Sequence, residues 1–130
     1  MTLYRGERLK GLHPDLVRVV NRAHGLAPWP VAVLEGLRTL ERQRQLMKSG
    51  DTTTLNSRHL TGHAVDLAPM FDTDGDGDVE VSWAWPKYHL LAAVVKQAAA
   101  EERVPIEWGG DWKTFKDGPH WQLPWKQYPK

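Results

Sequence analysis

Between Pro86 and Arg103 the chain carries the segment KYHLLAAVVKQAAAEE, whose Leu91, Val94, Val95 and Ala98 recur at helical spacing. A proline suits the first turn of a helix, and no glycine interrupts the stripe. Such an amphipathic helix needs an apolar surface to lie on, and the only candidates are short strands. Val31, Val33 and Glu35 alternate; residues 64–69 put Val65 and Leu67 on one face and Ala64, Asp66 and Ala68 on the other; residues 106–108 and 119–123 flank the loop GGDWKTFKDG. Two more helices are expected. Pro14 and Asp15 open a pattern of Leu16, Val20 and Ala23 that stops at Gly25, and Thr39 stands as an N-cap before LERQRQLMK and Gly50. The longest irregular stretches are residues 49–63 and 69–83, with no internal repeat and no regular βαβ rhythm. The pattern predicts an α+β fold: one domain, residues 1–130, with a small antiparallel sheet flanked by about three helices.

Composition narrows the chemistry. Lys plus Arg number 17 against 16 Asp plus Glu, a net charge of +1, too balanced for electrostatic capture of nucleic acid or an anionic membrane. Hydrophobic residues make up 41% and charged residues 25%, so a chain of this length buries roughly two thirds of its unfolded surface without staples. Cysteine is absent, which removes disulfides, thiolate metal sites and a cysteine nucleophile; any metal is held by nitrogen and oxygen. The N-terminal MTLYRGERLKGLHPDL has charges but no apolar run behind them, and no stretch approaches the ~20 apolar residues of a membrane span. The expectation is a monomer without a signal peptide, made in the cytoplasm and not stably associated with membrane. The seven Trp suit both a core with only two Phe and the walls of a groove.

The segment SRHLTGHAVD, residues 57–66, concentrates candidate ligands. His59 and His63 stand four apart, but Gly62 lies between them and Leu60 occupies the place of the Glu in the helical H-E-x-x-H motif. His59 with Asp66 instead fits a loop that leads into a strand. The later segment KDGPHWQ adds His120, brought in behind Gly118 and Pro119. Two His and one Asp leave a fourth tetrahedral position open to water, as in catalytic rather than structural zinc sites, and Asp117 is placed to take a proton from that water. Each residue also has an ordinary role: a histidine satisfied in the core or at the surface, an Asp-Gly in a turn.

The segment DTDGDGDVE, residues 72–80, places Asp72, Asp74, Asp76 and Gly77 at positions 1, 3, 5 and 6 of an EF-hand loop. Position 12 is Trp83 rather than the closing Glu, and Glu80 falls at position 9. The departures favour a solvated acidic loop, with Ca2+ held by Asp72, Asp74, Asp76, Asp78 and Glu80 as the alternative.

The pattern Ser57-x-His59-x-x-Gly62-x-Ala64-x-Asp66, with Asp117-x-x-His120 downstream, resembles the signature of the zinc metallopeptidases that include D-alanyl-D-alanine carboxypeptidases and phage L-alanyl-D-glutamate peptidases. GLRTLERQ, residues 36–43, and residues 105–122 extend the likeness over nearly the whole chain, which is most like the compact endolysin branch without a separate wall-binding domain. The resemblance implies Zn2+ on His59, Asp66 and His120 in a groove at the sheet, with Asp117 as general base and acid where many relatives have Glu. It implies that Arg38 holds a substrate carboxylate or the developing oxyanion. Ser57 and Gln43 match motif positions as candidate substrate contacts, and His63 lines or backs the groove. Lys113, Lys116 and Arg58, in the motif loops, would suit the carboxylates of a stem peptide. The implied activity is hydrolysis of the L-Ala to D-Glu bond, or the adjoining diaminopimelate bond, in murein for host lysis. The enzyme would reach the cell wall or periplasm from the host cytoplasm through a membrane lesion made by a holin. A D-Ala-D-Ala carboxypeptidase or dipeptidase with the same zinc site, and a non-catalytic wall-binding module, are the alternatives.

Overall fold

Alternating apolar positions build a central sheet in the structure, a computed structural model that describes residues 2–50 and 57–129. Its strands are β1 (Leu3–Tyr4), β2 (Val31–Glu35), β3 (Ala64–Phe71), β4 (Glu80–Val81), β5 (Glu107–Trp108) and β6 (His120–Gln122). The order is β1-β2-β3-β6-β5, with β4 hairpinned onto the far end of β3. β1 runs parallel to β2 and every other pair is antiparallel. The sheet is therefore mixed, not purely antiparallel as expected, because the two residues of β1 are too few to show an alternation.

Among the described residues three α-helices accompany the sheet: α1 (Pro14–Leu26), α2 (Leu40–Lys48) and α3 (Trp85–Glu102). The ring of His13 accepts from the Asp15 N–H at 3.0 Å and so caps α1, which runs through Gly25 instead of stopping there. Thr39 caps α2 as expected, its hydroxyl accepting from the Arg42 N–H at 3.1 Å. On α3 the buried stripe is Tyr88, Leu91, Ala92, Val95, Ala98 and Ala99, with Val94 only partly covered. None of the helices among the described residues is long and apolar enough to cross a membrane.

α1 and α3 pack on each other, and α3 also packs on β3. Val33, Val65, Leu67 and Trp121 join Leu16, Val20, Leu91 and Val95 in one core, each burial of this size contributing about 1.5–3 kcal/mol. The tryptophans divide between core and surface. Trp108 and Trp121 stack in the core at 5.7 Å, whereas Trp83 is 68% exposed.

One irregularity decides which side chains face the other side. Val33 pairs with Leu67, but the next partner of Asp66 is Glu35, so Leu34 is an extra residue in a β-bulge. Simple alternation would keep Glu35 on the core face with Val31 and Val33. The bulge turns it over. Since Asp66 also pairs with His120, Glu35, Asp66 and His120 stand side by side across β2, β3 and β6.

Candidate active site

His59 sits in a 3-10 turn, Arg58–Thr61, entered through Ser57, whose hydroxyl accepts from the His59 N–H at 3.2 Å. Gly62 closes the turn at φ 76°, and a Cβ there would lie 2.7 Å from the Gly11 carbonyl oxygen, so both conformation and space demand glycine. The chain then enters β3 and delivers Asp66. His120 arrives from the other direction, on a turn in which its N–H donates to the Asp117 carbonyl at 3.2 Å.

The three side chains converge. His59 Nε2 and His120 Nδ1 lie 3.3 and 3.4 Å from Asp66 Oδ1, and the ring centroids are 5.1 Å apart. Donors about 2.0–2.1 Å from a tetrahedral ion stand about 3.3–3.4 Å from one another, which is this spacing. His59 Nδ1 lies 2.9 Å from the Gly36 carbonyl oxygen, so that nitrogen carries the proton and Nε2 presents its lone pair. His59 Nε2 and Asp66 Oδ1 are both buried without a hydrogen-bond partner among the described residues. A buried polar atom left so costs about 1–3 kcal/mol, and a cation between the three groups removes that cost. The residues present fit a divalent metal with nitrogen and carboxylate preference.

Charge at the site follows from the same packing. Burial alone pushes the Asp66 carboxyl up, but the two histidines outweigh it and hold it well below the carboxylate range. Burial disfavours the charged form of His120, yet Asp66 reverses the balance and raises its pKa. Asp117 is half-buried, and burial and the Asp66 charge push its carboxyl up against the opposing pull of His120, His59 and Arg38. Its N–H donates to the Gly109 carbonyl at 3.0 Å, and a Cβ on Gly109 would lie 2.4 Å from the Asp117 carbonyl oxygen, so glycine is required beneath it.

Arg38 is fixed by three contacts of 2.7 Å: Nε and Nη2 donate to the two carboxylate oxygens of Glu35, and Nη1 donates to Gln43 Oε1. Its backbone N–H donates to the His59 carbonyl at 2.9 Å. The β2–α2 turn and the His59 turn are thus tied together by this bond and by the Gly36 contact.

Residues 3–122 match the family described as phage L-alanyl-D-glutamate peptidase. The chain belongs to this family. It is 30% identical over 115 residues to the L-alanyl-D-glutamate peptidase of Escherichia phage T5, covering 85% of this chain and 80% of that protein. To the L-alanyl-D-glutamate peptidase of Listeria phage A118 it is 34% identical over 98 residues, 75% of this chain and 32% of the longer relative. The crystal structure of Serratia marcescens L-Ala D-Glu endopeptidase ChiX superposes with a TM-score of 0.85 at 49% identity, covering 95% of this chain and 89% of that one.

Within this member of the peptidase family the expected contacts divide. His59, Asp66 and His120 come together; among the described residues Asp117 and Arg38 stand beside them without joining the ligand cluster. Gln43 is fully buried, and its side-chain oxygen accepts from Arg38 Nη1. Ser57 is occupied as a cap. His63 does not line the cluster: it falls in the alternation of Val65 and Leu67, with Nδ1 2.7 Å from Thr61 Oγ1 and its ring 5.6 Å from that of His13. Burial, Arg58 and His13 lower its pKa. Arg58 is no groove cation either. It is buried, donates to the carbonyls of Leu123 at 2.8 Å and Tyr128 at 2.6 Å, and lies 4.1 Å over the Trp125 ring, clamping the C-terminal segment.

Glu35 is not marked out by the sequence, because alternation assigns it to the core face. The remaining acidic feature lies apart, in the β3–β4 hairpin. Asp72, Asp74, Asp76 and Glu80 bring carboxylate oxygens within 4.8 Å of one another, whereas Asp78 is not in the group. Asp72 Oδ1 accepts from the Gly75 N–H at 2.8 Å and Asp72 Oδ2 from the Gly77 N–H at 2.9 Å, and these bonds, Gly77 foremost, lower its pKa.

Proposed function

We propose that the chain hydrolyses the L-alanyl-D-glutamate bond of peptidoglycan stem peptides, with Zn2+ held by His59, Asp66 and His120. The observation that carries the metal is the pair of buried atoms His59 Nε2 and Asp66 Oδ1, without a hydrogen-bond partner among the described residues, with His120 Nδ1 completing the cluster. The choice of bond rests on the family match and on the names of the T5, A118 and ChiX proteins. Bound there, the ion supplies Lewis acidity, polarising a carbonyl and lowering the pKa of a water.

The chain's own residues supply the rest. Asp117 takes a proton from the attacking water and returns it to the leaving amine, and its raised pKa suits both halves of that exchange. Arg38 uses one N–H of each nitrogen on Glu35 and Gln43, which leaves one on each terminal nitrogen for a substrate carboxylate or the developing oxyanion. The same reading takes Ca2+ as the cation of the hairpin carboxylates, supported by their all-oxygen donor set. It also takes the enzyme as a monomer acting on the wall as a single catalytic domain after a holin-type lesion admits it.

The test is mass spectrometry of purified murein digested with and without a chelator, reading the new N-termini. New D-Glu amines that vanish with chelator are expected. Chelator-resistant cleavage overturns the metal, released D-Ala moves the bond to that of a carboxypeptidase, and intact murein with zinc present leaves a wall-binding module.

A further inference from the structure

His120 is held from behind by a chain of two side chains that the reaction itself does not use. Its Nε2 lies 2.8 Å from Gln122 Oε1, and Gln122 Nε2 donates to Glu107 Oε2 at 3.1 Å. The register makes this contact possible. Glu107 pairs with Gln122 across β5 and β6, and Gln122, two residues after His120, shares its face of the sheet.

We infer that Gln122 and Glu107 are positioning residues that lock His120 into the tautomer able to bind the metal, an assignment that rests on the zinc reading above. A carboxylate accepts and does not donate, so Glu107 compels Gln122 to turn its NH2 outward and its oxygen toward His120. That oxygen in turn compels His120 to carry its proton on Nε2. Nδ1 is left with the lone pair, and Nδ1 is the atom that faces Asp66 Oδ1.

The two histidines differ in what secures them. His59 is fixed by a backbone carbonyl, that of Gly36, which no side-chain substitution removes. His120 depends on side chains alone, with Gln122 buried and Glu107 on the edge strand β5 and half-exposed. The amide between them also keeps the Glu107 carboxylate one side chain away from His120, on a face that already carries Glu35 and Asp66.

The experiment is zinc affinity by chelator competition on the full chain, with circular dichroism as the check on folding and 15N spectra of the zinc-loaded histidines as the tautomer readout. E107K places a donor where the acceptor was. It turns the Gln122 amide end for end and drives the His120 proton onto Nδ1, so affinity falls about tenfold to hundredfold, as does that of Q122M, which removes the acceptor. The double variant Q122E/E107Q puts a carboxylate directly on His120 and restores binding. Wild-type spectra show the His120 proton on Nε2. If wild type binds zinc stoichiometrically while folded E107K stays within about twofold of it, the relay is wrong and the metal site stands. If wild type takes up no zinc, the metal reading and the relay fall together.

Discussion

Glu35 stands opposite Asp66 in the β2–β3 register, and from that position both its carboxylate oxygens hold Arg38 at 2.7 Å. The ion pair is only partly exposed, at 10% for Arg38 and 31% for Glu35, so it is less screened than a surface pair. The Arg38 hydrogen bond, ahead of the opposing effect of burial, holds the Glu35 carboxyl below its ordinary value, so Glu35 stays ionised through the neutral range. The consequence is an arginine whose guanidinium plane is set before substrate arrives.

Arg38→Ala is therefore expected to lower kcat by about 10²–10³-fold on a stem-peptide substrate with zinc content unchanged, the loss typical of an oxyanion donor. Arg38→Lys restores little, since an ammonium cannot span both Glu35 oxygens and still present a planar donor pair. Glu35→Gln keeps the arginine but loosens its plane, giving a smaller loss than Arg38→Ala. Steady-state kinetics on the three variants check the order; Arg38→Lys at wild-type rate sinks the role.

Asp117→Asn removes the proton acceptor of the proposed mechanism while preserving shape and backbone bonds. The expected result is a folded protein with full zinc content and kcat lower by about 10²–10⁴-fold. Metal analysis beside turnover separates this from a ligand defect. A rate near wild type would take Asp117 out of the mechanism.

The convergence of His59, Asp66 and His120 is legible in the sequence for reasons the structure makes plain. Asp66 follows strict alternation in β3, Gly62 permits the turn that aims His59, and Pro119 leads His120 into β6. The Glu35 contact was not legible, because a single extra residue at Leu34 reverses the face on which Glu35 lies, and no local residue type announces a bulge. Arg58 and His63 misled for a related reason. Motif loops look exposed in sequence, but here the C-terminal segment folds back over Arg58, through contacts between residues 65 and 70 positions apart. Part of the irregular stretch 49–63 lies outside the described residues.

That C-terminal segment has its own pH signature. The Tyr128 hydroxyl donates to Asp15 Oδ2 at 2.7 Å, and this bond, ahead of the opposing effect of burial and with help from Arg18, lowers the Asp15 pKa. A carboxyl depressed in the folded state contributes stability above its unfolded pKa of about 3.9, and loses it as pH falls through the folded value. Tyr128→Phe should therefore destabilise the protein at neutral pH and make its stability fall less steeply in the acid range. Urea midpoints across that range check it; equal acid slopes in the two proteins would remove Asp15 as the cause.

The hairpin carboxylates should bind calcium weakly. Ca2+ takes about 6–8 oxygens, and here Asp72, Asp74, Asp76 and Glu80 supply one atom each to the cluster, without the bidentate Glu that closes a tight loop. Asp72 already accepts backbone N–H groups at both oxygens, which pre-shapes the turn, while Glu80 is occupied by the Thr73 N–H at 2.9 Å and must be shared or released on binding. Exposure of the three aspartates adds competition from water. The affinity expected is that of weak extracellular modules, Kd about 10⁻⁴–10⁻³ M, and Asp74→Asn with Asp76→Asn should abolish it. Titration calorimetry on the zinc-loaded protein decides the matter: saturable heat lost in the double variant supports the site, and no heat at millimolar calcium leaves a solvated acidic turn.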